Sequence, residues 1–119
     1  MFSFKRLLVY KLAKELIKAI YSVTSRFPES EKFALASQLN RAAVSIASNI
    51  AEGTSRNSIK DKSYFINISY CSLMEVVCQV DIAFELGYIS KDQYETITNS
   101  SNDLAIRLNN FQKSIKGGK

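Results

Sequence analysis

Apolar residues recur every three or four positions along most of the chain, and this periodicity is interrupted at only three places, near Pro28, Gly53 and Gly87. Such a period puts apolar side chains on one face of an α-helix, whereas a half-buried strand needs a period of two. One proline and four glycines are also too few for a fold rich in strands and turns. The sequence therefore predicts four amphipathic helices.

The expected helix ends follow from local breaking signals. Pro28 disfavours helical backbone at the preceding residue and ends the first helix, while Gly53 and Gly87 are natural stops for the second and third. The expected helices are, in chain order, about residues 6–25, 30–53, 58–86 and 90–116.

Capping residues mark the starts of the last two helices, where Ser58 precedes Asp61 and Ser90 precedes Gln93 by three positions. The connections between helices are short, so consecutive helices are expected to be antiparallel neighbours. The predicted fold is all-α, an antiparallel up-down-up-down four-helix bundle that forms a single domain over residues 1–119.

The third helix is unusually apolar. Between positions 64 and 86, 16 of 23 residues are apolar and only Glu75, Asp81 and Glu85 are charged. A helix that is apolar on most of its circumference must be buried on more than one side, and a four-helix bundle covers only one. The excess predicts a subunit interface. It includes Tyr70, Met74, Cys78 and Phe84.

Residue types that carry common chemistry are scarce. The chain has no histidine, no CxxC motif and no glycine-rich phosphate loop. Cys71 and Cys78 lie about 10 Å apart along a helix, too far for a disulfide, and are expected to be reduced. Ser45 and Ser72 have no recognisable base. We expect no metal, cofactor, small-molecule substrate or catalytic site, and hence no enzyme.

Charge is predicted to separate along the bundle. The chain carries a net charge of +5. The end where the first and third helices start has a net charge of +6, counting Glu52 and Asp61, and the opposite end has −2. In an alternative reading, Lys113, Lys116 and Lys119 only suit the C-terminus of a helix, and Lys60 and Lys62 are simply solvated. The cations of the first end are Lys5, Arg6, Arg56, Lys60, Lys62, Lys113, Lys116 and Lys119.

A polar ladder borders the apolar stripe of the second helix and faces two polar residues of the third. We interpret it as a structural network in which Arg41 pairs with Glu75 or with a neighbouring subunit. A catalytic site using Glu52 and Glu75 is the competing interpretation, and it would require both carboxylates in an open cleft. The ladder consists of Arg41, Ser45, Asn49 and Glu52, with Ser72 and Glu75 on the third helix.

The segment Gln38–Gly53 contains the ungapped pattern R-x-A-x-S-I-x-x-N-I-A-E-G, and Phe27-Pro28 precedes it. With Ser72 and Glu75, this pattern resembles the four-helix-bundle family of 23S ribosomal RNA intervening-sequence proteins over nearly the whole chain. Cys71 departs from the family, in which a glycine usually precedes the serine.

The resemblance implies a bacterial homo-oligomer, often a ring of five, whose biochemical role is not established in the family. The family is also similar to the accessory variability protein of diversity-generating retroelements, a basic pentameric bundle that partners a reverse transcriptase and nucleic acid. A ring would bring several copies of the basic end to one side.

The resulting hypothesis is a non-enzymatic oligomer that binds RNA or DNA backbone. The alternative is a protein-interaction scaffold, for example an adaptor for a polymerase. Charged residues interrupt the apolar N-terminal run before a signal peptide or membrane span could form, so we expect a cytoplasmic protein with no membrane partner. The candidate nucleic-acid contacts are Lys5, Arg6, Lys11, Lys14, Lys18, Arg56, Lys60, Lys62, Lys113 and Lys116.

Overall fold

The computed structural model describes residues 2–117, and this part of the chain contains four α-helices and no strand. Short 3-10 turns, Ser3–Arg6 and Glu29–Glu31, precede the first and second helices. The all-α prediction is confirmed. The helices are α1 (Leu8–Thr24), α2 (Leu35–Thr54), α3 (Ile59–Glu85) and α4 (Lys91–Gly117).

Each helix packs against its two neighbours in the order α1, α2, α3, α4, and α4 returns to α1. Gln112 of α4 reaches Ser63 near the start of α3, while Tyr94 near the start of α4 reaches Asp81 near the end of α3. Consecutive helices are therefore antiparallel. The molecule measures 47 × 24 × 23 Å, and the predicted up-down-up-down bundle is confirmed.

The core runs the length of the bundle and takes its side chains from all four helices. Burying one large aliphatic side chain stabilises the fold by about 1.5–3 kcal/mol, so these residues dominate its stability. The largest apolar side chains that are essentially inaccessible to solvent are Leu16, Ile20, Leu39, Ile46, Ile50, Ile66, Leu73, Val76, Val80, Leu104 and Leu108.

The predicted caps of the last two helices form. The Ser58 hydroxyl accepts the Asp61 N–H at 3.0 Å. Ser90 and Gln93 exchange two hydrogen bonds of 3.1 Å, each from a backbone N–H to the other's side chain. Gly87 ends the third helix with φ of +80°, a conformation that favours glycine.

The start of α2 was predicted at residue 30 but lies at Leu35. Glu29–Glu31 form the 3-10 turn, and Ala34 leaves helical geometry with φ of −122° and ψ of −106°. The Glu31 carboxylate accepts the Leu35 N–H at 3.3 Å, at the first residue of α2. A separate turn therefore precedes α2. All other helix ends agree with the prediction to within two residues.

Gly53 is buried in the last turn of α2, which ends one residue later, at Thr54, close to the predicted end. It keeps helical geometry, unlike Gly87 with its positive φ. A β-carbon at this position would lie 3.2 Å from Cδ1 of Ile66, 3.2 Å from Cβ of Phe65 and 3.3 Å from the carbonyl oxygen of Lys62. The glycine therefore allows α2 and α3 to approach closely at this level.

The surplus apolar residues of α3 divide into two groups. Phe84 is half-buried and stacks on Tyr94 with ring centroids 4.3 Å apart, and Tyr70 packs partly against the core. Met74 and Cys78 remain exposed, and Cys71 and Cys78 are free thiols, as their spacing predicted. Part of the predicted surplus is thus used within the protomer.

Candidate nucleic-acid interface

The bundle packing gathers basic side chains at one end, which we call the basic pole. This is the end where α1 and α3 begin and α2 and α4 finish. With Glu52 and Asp61 included, its net charge over the described residues is +5, and Lys119, which the prediction also counted, lies outside them. The seven cations of the basic pole are Lys5, Arg6, Arg56, Lys60, Lys62, Lys113 and Lys116.

Arg56 is held by two contacts just beyond the end of α2. Its guanidinium donates to the Glu52 carboxylate at 2.7 Å and lies over the Phe65 ring, 4.6 Å from the centroid. Both charged side chains are partly exposed, so the ion pair adds little to stability. Because Glu52 is paired here, it does not join the rest of the predicted polar ladder.

Lys60 and Lys62 differ in their surroundings, although both lie in the first turns of α3. Lys62 is half-buried and donates to the Thr54 carbonyl at 3.3 Å, which satisfies an acceptor at the end of α2. Lys60 is exposed and makes no ion pair or side-chain hydrogen bond with any residue in the 2–117 range. A lysine in the first turn of a helix also opposes the helix dipole.

Lys5 and Arg6 lie on the N-terminal 3-10 turn, which aromatic packing holds against the bundle. Phe4 contacts Tyr10 edge to face with centroids 5.0 Å apart, while Phe2 is exposed. Both cations are exposed. The turn therefore presents two positive charges at the rim of the basic pole.

The α4 lysines and the α1 lysines lie in different places. Lys113 and Lys116 are exposed in the last turns of α4, where the helix dipole favours cations. Lys11, Lys14 and Lys18 instead extend along the side of α1, with Lys11 in its first turn and Lys18 furthest from the pole. The ten candidate contacts thus form one terminal cluster of seven and one lateral row of three.

The opposite end of the bundle is acidic, with three cations and five carboxylates. Glu31 accepts the Tyr88 hydroxyl at 3.0 Å, and this hydrogen bond raises the pKa of Tyr88 above its ordinary value. The hydrogen bond from Tyr94 to Asp81 at 3.0 Å raises the pKa of Tyr94 in the same way. With the basic pole at one end and this acidic end at the other, the molecule is electrically polar along its long axis.

The structure joins only part of the predicted polar ladder. Ser45 and Ser72 are hydrogen-bonded at 2.9 Å, and Asn49 donates to Ser45 Oγ at 2.9 Å. The predicted Arg41–Glu75 ion pair is absent from the protomer. Both side chains are exposed, and the Glu75 carboxylate instead accepts from Gln79 at 3.2 Å.

Two features of the described region bear on other kinds of site. Within residues 2–117, no three His, Cys, Asp or Glu side chains are grouped to hold a metal ion. By length and composition alone α3 could cross a membrane, and one face of it packs against α2 and α4.

A groove between α1 and α2 and the double role of Glu31 were not anticipated from the sequence. The small residues Ala47 and Ser48 were a usable signal for the groove, since they leave space beside α1. Glu31 gave no signal, because its partners Leu35 and Tyr88 lie on different elements.

Comparison with known proteins finds a family model and solved structures that resemble this chain. The family model described as 23S rRNA-intervening sequence protein matches residues 5–110. A crystal structure of a protein with unknown function from the S23 ribosomal protein family of Bacteroides thetaiotaomicron superimposes with a TM-score of 0.82 at 25% sequence identity. The superposition covers 89% of this chain and 96% of that one. No curated protein sequence matches.

Proposed function

The chain belongs to the family of 23S rRNA-intervening sequence proteins, and we propose that it is a non-enzymatic homo-oligomer whose basic pole binds the phosphate backbone of RNA or DNA. The observation that carries the proposal is the concentration of seven cations at one end of a bundle whose other end is acidic. Phosphate contacts of this kind give affinity with little sequence preference.

Lys60 gives the most specific support. It opposes the dipole of α3 and has no partner in the described part of the chain, so helix stability does not account for its charge. Lys113 and Lys116, in contrast, suit the end of α4 without any ligand. A residue that costs stability yet adds to a charged surface is typical of a binding site.

The test compares Lys60→Glu with Lys91→Glu. Both lysines lie in the first turn of a long helix, but Lys91 is at the acidic end. Each substitution should stabilise its helix by about 0.3–1 kcal/mol through the helix dipole. Only Lys60→Glu should weaken binding to a labelled RNA or DNA duplex, by several-fold at low salt, as read by fluorescence anisotropy.

Equal affinities for the two variants would contradict the proposal, because both change the net charge by the same amount. Loss of binding in Lys91→Glu alone would move the interface to the other end. Melting curves of both variants check that any change in affinity is not a folding defect.

A protein-interaction scaffold is the second candidate. It is favoured by exposed apolar side chains outside the basic pole, among which Phe33 is 90% exposed. In that case a protein partner, such as a polymerase, would stay bound at high salt. Phe33→Ser would release that partner and leave nucleic-acid binding unchanged.

A further inference from the structure

An open groove lies on the outer surface between α1 and α2, with a volume of about 460 Å³. Tyr10 and Ile17 of α1 form one wall, and Val44 of α2 forms the other. Ala47 and Ala51 are too small to fill the space between the two helices. We call this feature the α1/α2 groove.

A second apolar surface lies on the outer side of α3. Five of the twelve large hydrophobic side chains that are exposed among residues 2–117 belong to this helix, and less than half of its most apolar stretch is buried. Three of these five side chains and two exposed cysteines share one face of the helix, at spacings of seven, three, four and four residues. This α3 stripe consists of Tyr64, Cys71, Met74, Cys78 and Ile82.

The two surfaces carry opposite charges. Lys14 and Lys18 line the α1/α2 groove, and Lys18 forms an exposed ion pair of 3.1 Å with Glu15. Glu75, Asp81 and Glu85 are exposed beside the α3 stripe, and no ion pair joins any of them to a cation within the described chain. A convex apolar helix flanked by carboxylates thus complements a concave apolar groove flanked by lysines.

One protomer cannot make this contact with itself, since α3 lies diagonally across the bundle from α1. We propose that the α3 stripe of one copy docks in the α1/α2 groove of the next. The proposal rests on the oligomeric part of the proposed function and specifies its interface as head to tail, because the two surfaces differ.

This interface assigns different roles to the two groups of lysines. Lys14 pairs with a carboxylate of the neighbouring copy, and Lys18 keeps Glu15 as its partner within the protomer. The groove reaches Phe4 of the N-terminal turn, but its lining does not include Lys60, Lys113 or Lys116, so these cations of the basic pole stay accessible. Charge reversal at Lys14 should therefore change the oligomer mass, whereas reversal at Lys60 should not.

The test uses Val44→Glu in the groove and Met74→Glu in the stripe, both at partly exposed positions. After nuclease treatment and at high salt, light scattering should give an oligomer for the parent protein and monomers for each variant. In a mixture, the intact groove of Met74→Glu accepts the intact stripe of Val44→Glu. The mixture should therefore form 1:1 dimers.

Ile106→Glu is the matched control, since Ile106 is 62% exposed on α4, away from both surfaces, and this variant should keep the parent mass. Helical circular dichroism identifies variants that fail to fold, and Ser48→Arg then replaces Val44→Glu. A monomeric parent, an oligomeric single variant, or a mixture that stays monomeric would overturn the interface. A monomeric parent would also overturn the oligomeric part of the proposed function. None of these outcomes alters the comparison of Lys60→Glu with Lys91→Glu, so nucleic-acid binding by the basic pole is tested separately.

Discussion

The hydroxyl oxygens of Ser45 and Ser72 lie 2.9 Å apart across the contact between α2 and α3, the most extensive helix contact in the bundle. Asn49 donates its amide to both the carbonyl and the hydroxyl of Ser45, at 2.8 and 2.9 Å. Ser72 is buried, so water has little access to replace a lost partner. The three side chains act as one polar unit that links the two helices.

This unit predicts coupling between the two serines. Ser45→Ala and Ser72→Ala should each destabilise the protein by about 0.5–1.5 kcal/mol. The double variant should cost less than the sum of the two, because the second substitution finds the hydrogen bond already gone. Urea unfolding of the four proteins measures the coupling. Strict additivity, as expected for Ser72→Ala with the exposed Ser100→Ala, would show that the serines do not interact.

Gly53 predicts an unusual response to alanine. In most helices, Gly→Ala stabilises by about 1 kcal/mol. Here the new β-carbon would crowd Cβ of Phe65 and the carbonyl oxygen of Lys62, which cannot move without shifting α3. We expect a net loss of about 1 kcal/mol in the free energy of unfolding. Gly117→Ala is the control, because nothing lies within 4 Å of that site. A stabilised Gly53→Ala protein would refute the close approach.

The glycines Gly53 and Gly87 show which parts of the fold can be predicted from local sequence patterns. The capping pairs and the stop at Gly87 depend only on neighbouring residues, so the sequence predicts them correctly. Gly53 was predicted to end α2, and the helix does end one residue beyond it, but the close packing of α3 on this glycine was not predicted. Whether a helical glycine also packs closely against a neighbour depends on the partner helix, which a short stretch of sequence does not reveal.

Substitution of Arg56 by lysine should change the stability of the protein without changing its affinity for nucleic acid. Arg56→Lys keeps the charge but loses the planar contact with Phe65 and weakens the ion pair with Glu52. We expect a loss of about 0.5–1 kcal/mol in stability, with duplex affinity nearly unchanged. Melting and anisotropy measured on one preparation compare the two. A large loss of affinity would mean that the guanidinium itself contacts the ligand.

Tyr88 predicts a stability change at alkaline pH. Its hydrogen bond to Glu31 raises its pKa in the folded state, so the hydroxyl stays protonated to a higher pH when folded than when unfolded. The stability that this hydrogen bond contributes to the folded state is therefore fully present below pH 10. It is lost as the pH rises through the pKa of Tyr88 in the folded state. Tyr88→Phe should melt earlier than the parent at pH 8, and the gap should narrow by pH 11. A constant gap would argue against this coupling.

The candidate site is less predictable than the fold. Net charge and helix order suffice to gather the cations at one pole. They do not reveal that Arg56 is paired, that Lys62 binds the Thr54 carbonyl, or that Lys60 stands alone. These differences depend on rotamers and helix approach, which the sequence pattern does not encode. The sequence also left open whether Arg41 pairs with Glu75 or with a neighbouring subunit, and within the protomer the two residues do not pair.

The most direct test of the account is the salt dependence of duplex binding by the nucleic-acid-free protein. The logarithm of the association constant should fall linearly with the logarithm of salt concentration, because each phosphate contact releases condensed counterions. The slope should be smaller in magnitude by about one for Lys60→Glu and unchanged for Lys91→Glu. Affinity that does not vary with salt, or the absence of binding at low salt, would contradict the assignment of the basic pole as a nucleic-acid interface.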